Sequence, residues 1–190
     1  MKISEAGIIK AELSMLDIQF LQKYVSEIEL PNCYVEIGTR EGGSALFARL
    51  ANKDIDIYTI DPKPILDGWK INPIEFKIHS IVGKSLEIVK DWNKPIGVLF
   101  IDGNHKKEQG PMAKEDFGAW EKFVIEGGIV IFHDYSPSPL WKDVFKDCNE
   151  VMEETKDKYN LIFKPDFNNP IKFPSSLKVY GTSFVIIKKK

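Results

Sequence analysis

From Ser14 onward, Leu16, Phe20, Leu21, Tyr24 and Ile28 recur every three or four residues, the apolar stripe of an amphipathic helix. Ser14 and Asp17 have the spacing of a capping pair at its start, and Pro31-Asn32 ends it. The pattern then changes to short apolar runs of strand length at 33–37, 55–60, 76–82, 98–101 and 129–132, separated by helix-compatible segments at 44–52, 85–90 and 114–126. Runs that are apolar on both faces and alternate with helices imply a parallel sheet covered on both sides, because each crossover returns a helix across a face. The expected fold is therefore α/β and doubly wound. Residues 141–158 suit one more helix, and 161–164 and 183–188 two further strands joined by a loop, so the last pairing is expected to be antiparallel at the sheet edge.

With 190 residues, 43% of them AVILMFWYC, the chain reads as one compact domain over 1–190, led by a helical segment at 1–31. Its largest composition shift, the Asn/Pro/Lys-rich stretch at 165–178, reads as a loop, and a substrate-side loop is expected over 165–182. The 26 basic and 28 acidic residues leave a formal charge of -2, so no overall field draws the protein to phosphate backbones or acidic membranes, and nucleic acid is not an expected partner. Glu5, Lys10 and Glu12 interrupt the first residues, which therefore lack a signal-peptide core, and no apolar run approaches the ~18 residues that span a bilayer. The expected location is cytoplasmic, without membrane contact. Cys33 and Cys148 stand far apart with no C-x-x-C spacing, which argues for ordinary thiols.

Candidate chemistry begins at Tyr34-Val35-Glu36-Ile37-Gly38-Thr39-Arg40-Glu41-Gly42-Gly43-Ser44, which puts an acid at a strand end, glycines in the turn and Ser44 near a helix start. In an open α/β sheet, ligands bind beyond the carboxyl ends of the strands, and such a turn lets a cofactor approach the backbone. The G-x-G-x-x-G order of dinucleotide sites is absent, and Glu36 would repel a pyrophosphate, which disfavours NAD and favours a cationic ligand. Asp61 ends the next strand, where a carboxylate can accept two ribose hydroxyl hydrogen bonds. The E-x-G-x-x-x-G turn with an acid closing the next strand resembles the class I S-adenosylmethionine-dependent methyltransferases. That resemblance implies a mostly parallel, Rossmann-like seven-stranded sheet with an antiparallel last strand. It also implies that Glu36, Gly38, Thr39, Gly42 and Ser44 lie at the methionine part of S-adenosylmethionine, that Asp61 holds the ribose, and that Gly83 and Ser85 border the adenine beside Lys84.

In the second half, Asp102-Gly103-Asn104-His105 ends the fourth strand and His133-Asp134-Tyr135 the fifth. Neighbouring parallel strands lie about 4.8 Å apart, so Asp102, His105, His133 and Asp134 can meet over the cofactor cleft. Methyl transfer from a sulfonium is an in-line displacement that needs the acceptor aligned and its proton removed, by a general base or through a metal that lowers its pKa. All four residues are candidates for either route, and Asp102 also borders the cofactor. His133 and Asp134 point to opposite faces of a regular strand, so sharing one ion requires a turn, which Pro137 and Pro139 favour. His79 reads as structural, and Asp116 as a helix-surface or capping acid.

The run from Gly97 to Tyr135, with D-G-x-H, Asp116, Trp120, Gly127-Gly128 and H-D-Y, is similar to the branch of sugar O-methyltransferases and cephalosporin-hydroxylase-like proteins, with Lys107 where relatives often carry Tyr. In related metal-dependent catechol and caffeoyl-type enzymes, the strand-four acid and an Asp-Asn pair after strand five hold a divalent cation. The resemblance thus implies Asp102, His133 and Asp134 as a metal set, in which imidazole would weaken a preference for magnesium and favour manganese, iron or zinc. The expected acceptor is a small molecule or glycoside bearing a hydroxyl, walled by loops near 62–69 and 165–178, with Trp69, Trp141, Phe167 and Phe173 available to stack on a ring. With no inserted lid domain, the site is open or completed by a second subunit in a homo-oligomer. A rival reading is a non-catalytic binder of S-adenosylmethionine or a nucleoside with the same fold.

Overall fold

In the computed structural model, which describes residues 13–63, 76–106, 110, 112–167 and 183–190, the capping pair forms as the sequence predicts. The Asp17 N–H donates to Ser14 Oγ at 3.1 Å and the Ser14 N–H to Asp17 Oδ2 at 2.9 Å. Two otherwise unpaired amides are thereby satisfied at the start of α1 (Met15–Ser26). Its Leu21, Tyr24 and Val25 are buried. Strands and helices then alternate: β1 (Cys33–Ile37), α2 (Gly43–Ala51), β2 (Ile57–Asp61), β3 (Ile78–Val82), α3 (Ser85–Ile88), β4 (Ile96–Ile101), α4 (Ala113–Trp120), β5 (Val124–Phe132), α5 (Lys142–Glu154), β6 (Tyr159–Phe163) and β7 (Val185–Lys189).

The strands form one seven-stranded sheet in the order β3-β2-β1-β4-β5-β7-β6. β1 to β5 are mutually parallel, while β7 runs antiparallel to both β5 and β6. The α/β, doubly wound class and the antiparallel close thus stand as expected. One face packs Leu21, Val25, Tyr34, Ala45, Phe100, Ile131 and Phe184 beneath α1 and α2. The other packs Val35, Leu99, Phe117, Trp120, Phe132 and Val151 beneath α4 and α5. Each such side chain contributes about 1.5–3 kcal/mol by leaving water, so the sheet is a rigid platform for the loops at its edge.

The helix expected over 114–126 stops at Trp120, passes through one 3-10 turn and becomes β5 at Val124. Val124 and Ile125 are β-branched, and Val124 pairs with Ile96 before the register jumps to Val98 opposite Ile129. A left-handed Gly127 (φ 74°) occupies the bulge between those pairs, a conformation that a side chain would strain. No helix among the described residues is long and apolar enough to cross a membrane. The thiols of Cys33 and Cys148 are free, and burial pushes that of Cys33 up to about 12, consistent with inert core positions.

Candidate functional site

The chain runs outward from β1 to β2 and β3, then crosses back to β4 on the other side of β1, so the sheet reverses direction between β1 and β4. That is where open α/β sheets bind ligands. Gly38 follows β1 there with φ 94°, and a β-carbon on it would lie 2.0 Å from the carbonyl oxygen of Asp102. Only glycine allows this main-chain approach. The turn continues through Arg40 (φ 44°) and Gly42 (φ 75°) into α2. Asp61, at the end of β2, holds it in place: its Oδ2 accepts the Thr39 and Arg40 N–H groups, each at 3.0 Å, and its Oδ1 accepts the Lys63 N–H at 2.7 Å.

Glu36 is wholly buried on β1, with the Tyr34 hydroxyl donating to its Oε2 at 2.7 Å. Burial raises its carboxyl to about 8 against the lowering effect of the Tyr34 and Ser44 hydrogen bonds, with Asp102 and Asp61 adding to the rise. Its Oε1 and the Thr39 Oγ1 are buried without hydrogen-bond partners among the described residues. Unsatisfied buried polar atoms are costly, and two beside a glycine turn mark a place where a polar ligand completes the bonding.

Next to Asp61, the Gly83 N–H donates to the Asp61 carbonyl at 3.1 Å, and Ser85 opens α3 behind Lys84. The Ser85 hydroxyl donates to Asp116 Oδ1. Asp116 is only 1% exposed, in contrast to the helix-surface or capping role expected of it, and burial raises its carboxyl to about 6. The signal was present in the sequence, since 113, 116, 117 and 120 form one helical stripe whose other members are Ala, Phe and Trp. Asp116 joins the loop after β3 to the loop after β4, where its Oδ2 lies 3.4 Å from the position of a β-carbon on Gly103.

At the ends of β4 and β5, Asp102, His105, His133 and Asp134 come together. Phe132 ends β5, and Asp134 takes φ 57°, so the chain leaves the strand within two residues as the neighbouring prolines imply. The turn brings the His133 and Asp134 side chains to one side. His133 Nδ1 is 2.9 Å from Asp102 Oδ1 and 3.4 Å from Asp134 Oδ2. His105 Nε2 is 2.9 Å from Asp134 Oδ2 and 3.7 Å from Asp102 Oδ1. Burial works to lower both imidazoles, but the two carboxylates outweigh it, raising His105 to about 9 and His133 well above the ordinary histidine value. Asp134 is held below the usual carboxylate range by the two histidines, which overcome its own burial.

His133 is buried against the Phe100 and Phe184 rings, whereas His105 is partly exposed, with the Trp141 ring 4.6 Å away in an edge-on arrangement. Beyond it, Phe167 is 43% exposed and packs against Tyr135. Trp69, Lys107 and Phe173, and most of the loops expected to wall an acceptor, lie outside the described residues. His79 sits on β3, stacked on Tyr58 at 4.6 Å with Asp56 3.6 Å away, as a structural side chain would be.

The donors suit the groups that the sequence implies. Glu36, the Thr39 hydroxyl and Asp61 offer acceptors to a ligand bearing an ammonium and a ribose, and Asp61 oxygens have lone pairs left after three amide bonds. Asp102, His105 and Asp134 each present an atom within 4.8 Å of the others, a spacing that could hold a metal ion. The converging trio thus contains His105 where the expected set had His133.

The sequence profile described as "Methyltransferase domain" matches residues 35–135. A viral relative, the uncharacterized protein R132 of Acanthamoeba polyphaga mimivirus, is 32% identical over 138 residues, covering 64% of this chain; the chain spans 59% of that protein's length. Among solved structures, the O-methyltransferase from Bacillus cereus in complex with SAH superposes with a TM-score of 0.67 at 15% identity, over 98% of this chain and 86% of the other. TomG from Streptomyces achromogenes, an O-methyltransferase of tomaymycin synthesis in complex with SAM, gives 0.65 at 16% identity, over 98% and 85% of the two chains.

Proposed function

The chain belongs to the methyltransferase-domain family, and from that premise we propose that it transfers a methyl group from S-adenosylmethionine to a hydroxyl of a small molecule or glycoside. One observation supports the reading: the main chain of Gly38 is packed against that of Asp102, so the turn that would cradle the cofactor adjoins the Asp/His quartet.

S-adenosylmethionine supplies a methyl group on a positively charged sulfur, and its in-line transfer requires an acceptor oxygen that has lost its proton. In this reading Asp61 takes the ribose hydroxyls, while Glu36 and Thr39 complete their hydrogen bonding with the methionine end. Ser44 holds the Glu36 carboxyl beneath the turn. Gly83 and Ser85 border the adenine, with Asp116 fixing Ser85 from behind. Asp134 and Asp102 place negative charge where the acceptor's proton departs. His133 keeps a proton on Nδ1 for Asp102 and, packed against Phe100 and Phe184, fixes that carboxylate's orientation. Trp141 supports the His105 ring at the opening and offers a face to the acceptor. Asp102, His105 and Asp134 would hold a divalent cation, which when bound lowers the pKa of a hydroxyl beside it.

The test is calorimetric titration with S-adenosylhomocysteine in EDTA, followed by assays for its formation from S-adenosylmethionine with hydroxylated small molecules. Micromolar binding with turnover on a hydroxyl acceptor is expected. Absence of binding under all conditions would overturn the reading, and binding without turnover on any hydroxyl would leave a cofactor-binding protein.

A further inference from the structure

We infer that Glu36, Thr59 and Ser80 bind a file of internal water molecules that gives the Glu36 carboxyl a proton route to the β3 edge of the sheet. This route belongs to the ligand-free chain and stands apart from methyl transfer.

Registered residues on neighbouring parallel strands stand side by side on one face of the sheet. Glu36 is registered with Thr59, and Thr59 with Ser80. On its other flank Glu36 is registered with Phe100, and the row continues through Ile131 to Ile186. One row across the sheet is thus polar from β1 outward to β3 and apolar from β4 to β7. The adjacent row of Tyr34, Ile57 and Ile78 belongs to the hydrophobic core. The polar half lies on the face beneath α2, where the buried Ala45 and Ala48 carry only methyl groups.

Three oxygens of that half, Glu36 Oε1, Thr59 Oγ1 and Ser80 Oγ, are buried and make no hydrogen bond among the described residues. Glu36 and Thr59 are both 0% exposed. Internal water is what normally satisfies such groups, and it needs several polar partners close together. Parallel strands lie about 4.8 Å apart, and two hydrogen bonds of about 2.8 Å that meet at one water span roughly 4.5–5.5 Å. Oxygens held side by side on neighbouring strands are therefore too far apart for a direct bond and well spaced for a water between each pair.

The members of the row suit proton passage. A hydroxyl or a water accepts one hydrogen bond while donating another, so each takes up a proton and passes on one of its own. Every member ends as it began, and only Glu36 loses a proton and bulk water gains it. Tyr34 is no sink for that proton, because burial beside Glu36 holds its phenol well above the ordinary value and so protonated. Asp61 and Asp102 also face Glu36, but they stand at the cleft ends of β2 and β4, whereas α2 presents the hydroxyl of Ser44. Thr59 is the start of the way out that avoids the cleft. At its far end β3 is the outermost strand, Ser80 is half-buried, and Val82 on the same face is exposed.

The experiment follows the carbonyl stretch of a protonated carboxylic acid by infrared spectroscopy of the full ligand-free chain. It is run midway between the value of about 8 to which burial raises Glu36 and the value of about 6 for Asp116. Glu36→Gln assigns the band by its loss. On transfer to D2O the wild-type band should shift within the mixing time. Thr59→Val keeps the shape but removes the hydroxyl, and should slow that shift at least about tenfold and lower the melting temperature, because the waters lose a partner. Thr59→Ser, which keeps the hydroxyl, should exchange at the wild-type rate, and Ser80→Ala should slow exchange as Thr59→Val does. A wild-type spectrum with no band that Glu36→Gln removes, or Thr59→Val exchanging as fast as wild type, would overturn the inference. So would Thr59→Ser exchanging as slowly as Thr59→Val, which would assign the effect to packing. A melting temperature that rises in both Thr59→Val and Ser80→Ala would also overturn it, as the mark of dry hydroxyls whose removal relieves a cost. Cofactor binding enters none of these readings, so failure here is distinct from failure of the proposed transfer.

Discussion

Gly38 and Asp102 touch through their main chains, and a β-carbon on Gly38 would fall 2.0 Å from the Asp102 carbonyl oxygen. The obstacle is backbone at the junction of two central strands, so it cannot rotate away. Gly38→Ala should destabilise the protein by about 3 kcal/mol, from the overlap together with the cost of a side chain at φ 94°. Urea unfolding checks this, and stability within about 0.5 kcal/mol of wild type would contradict the contact.

Asp61 has two tasks, ordering the Thr39 and Arg40 amides and, in the proposed function, receiving the ribose. Asp61→Ala should weaken S-adenosylhomocysteine by about 1.5–3 kcal/mol, the scale of hydrogen bonds to a charged group. Unchanged affinity in calorimetry would remove Asp61 from the cofactor site.

Asp134→Asn keeps a residue type that tolerates φ 57° while deleting the charge. Turnover should fall by about 10²-fold or more, the usual contribution of a proton-handling group, with S-adenosylhomocysteine affinity nearly intact. A variant with wild-type turnover would take Asp134 out of the reacting centre.

Glu36 makes stability depend on pH. Its carboxyl is raised from 4.5 to about 8 by burial, so between those values the folded ligand-free protein keeps a proton that the unfolded chain releases. Stability therefore falls as pH rises through that window, by at most about 1.4 kcal/mol per pH unit from this group. Glu36→Gln should flatten the fall in melting temperature between pH 5 and about 8; a profile with the wild-type slope would show that Glu36 does not bind the proton.

Asp116 is a positioning residue on the same cleft. Asp116→Ala leaves the buried Ser85 hydroxyl without its acceptor and should cost about 1–3 kcal/mol of stability together with cofactor affinity. Asp116→Asn, which still offers an oxygen to Ser85, should restore most of both. Failure of Asn to rescue the affinity would mean that the charge, and not the Ser85 contact, matters.

Much of this was legible from local pattern. The Ser14/Asp17 cap, the alternating strands and helices and the exit from β5 before Pro137 all depend on neighbours in sequence. The end of α4 was not, because Val124 and Ile125 suit a buried helix face as well as a strand, and pairing with Ile96 decides between them. The meeting of the four Asp and His side chains was expected, but that His105 and not His133 forms the trio with Asp102 and Asp134 was equally hidden. The loop after β4 is shaped by Asn104, whose Nδ2 donates to the carbonyls of Lys106 at 2.6 Å and Gly110 at 3.0 Å, and no periodicity encodes that bend. Burial of Asp116 was readable from its helical stripe, but the expectation for acids in helices masked it.

The position of β7 between β5 and β6 has a consequence for how the chain assembles. β6 is synthesised before its sheet partner β7, so a chain that has emerged only through Phe163 leaves β6 without a strand to pair with, and its Leu161 and Ile162 are exposed even in the finished molecule. Closure awaits Val185 to Lys189, which fill a slot flanked by β5 on one side and β6 on the other. The late-arriving strand is thus a keystone, and folding intermediates lacking it expose the unpaired edge of β5.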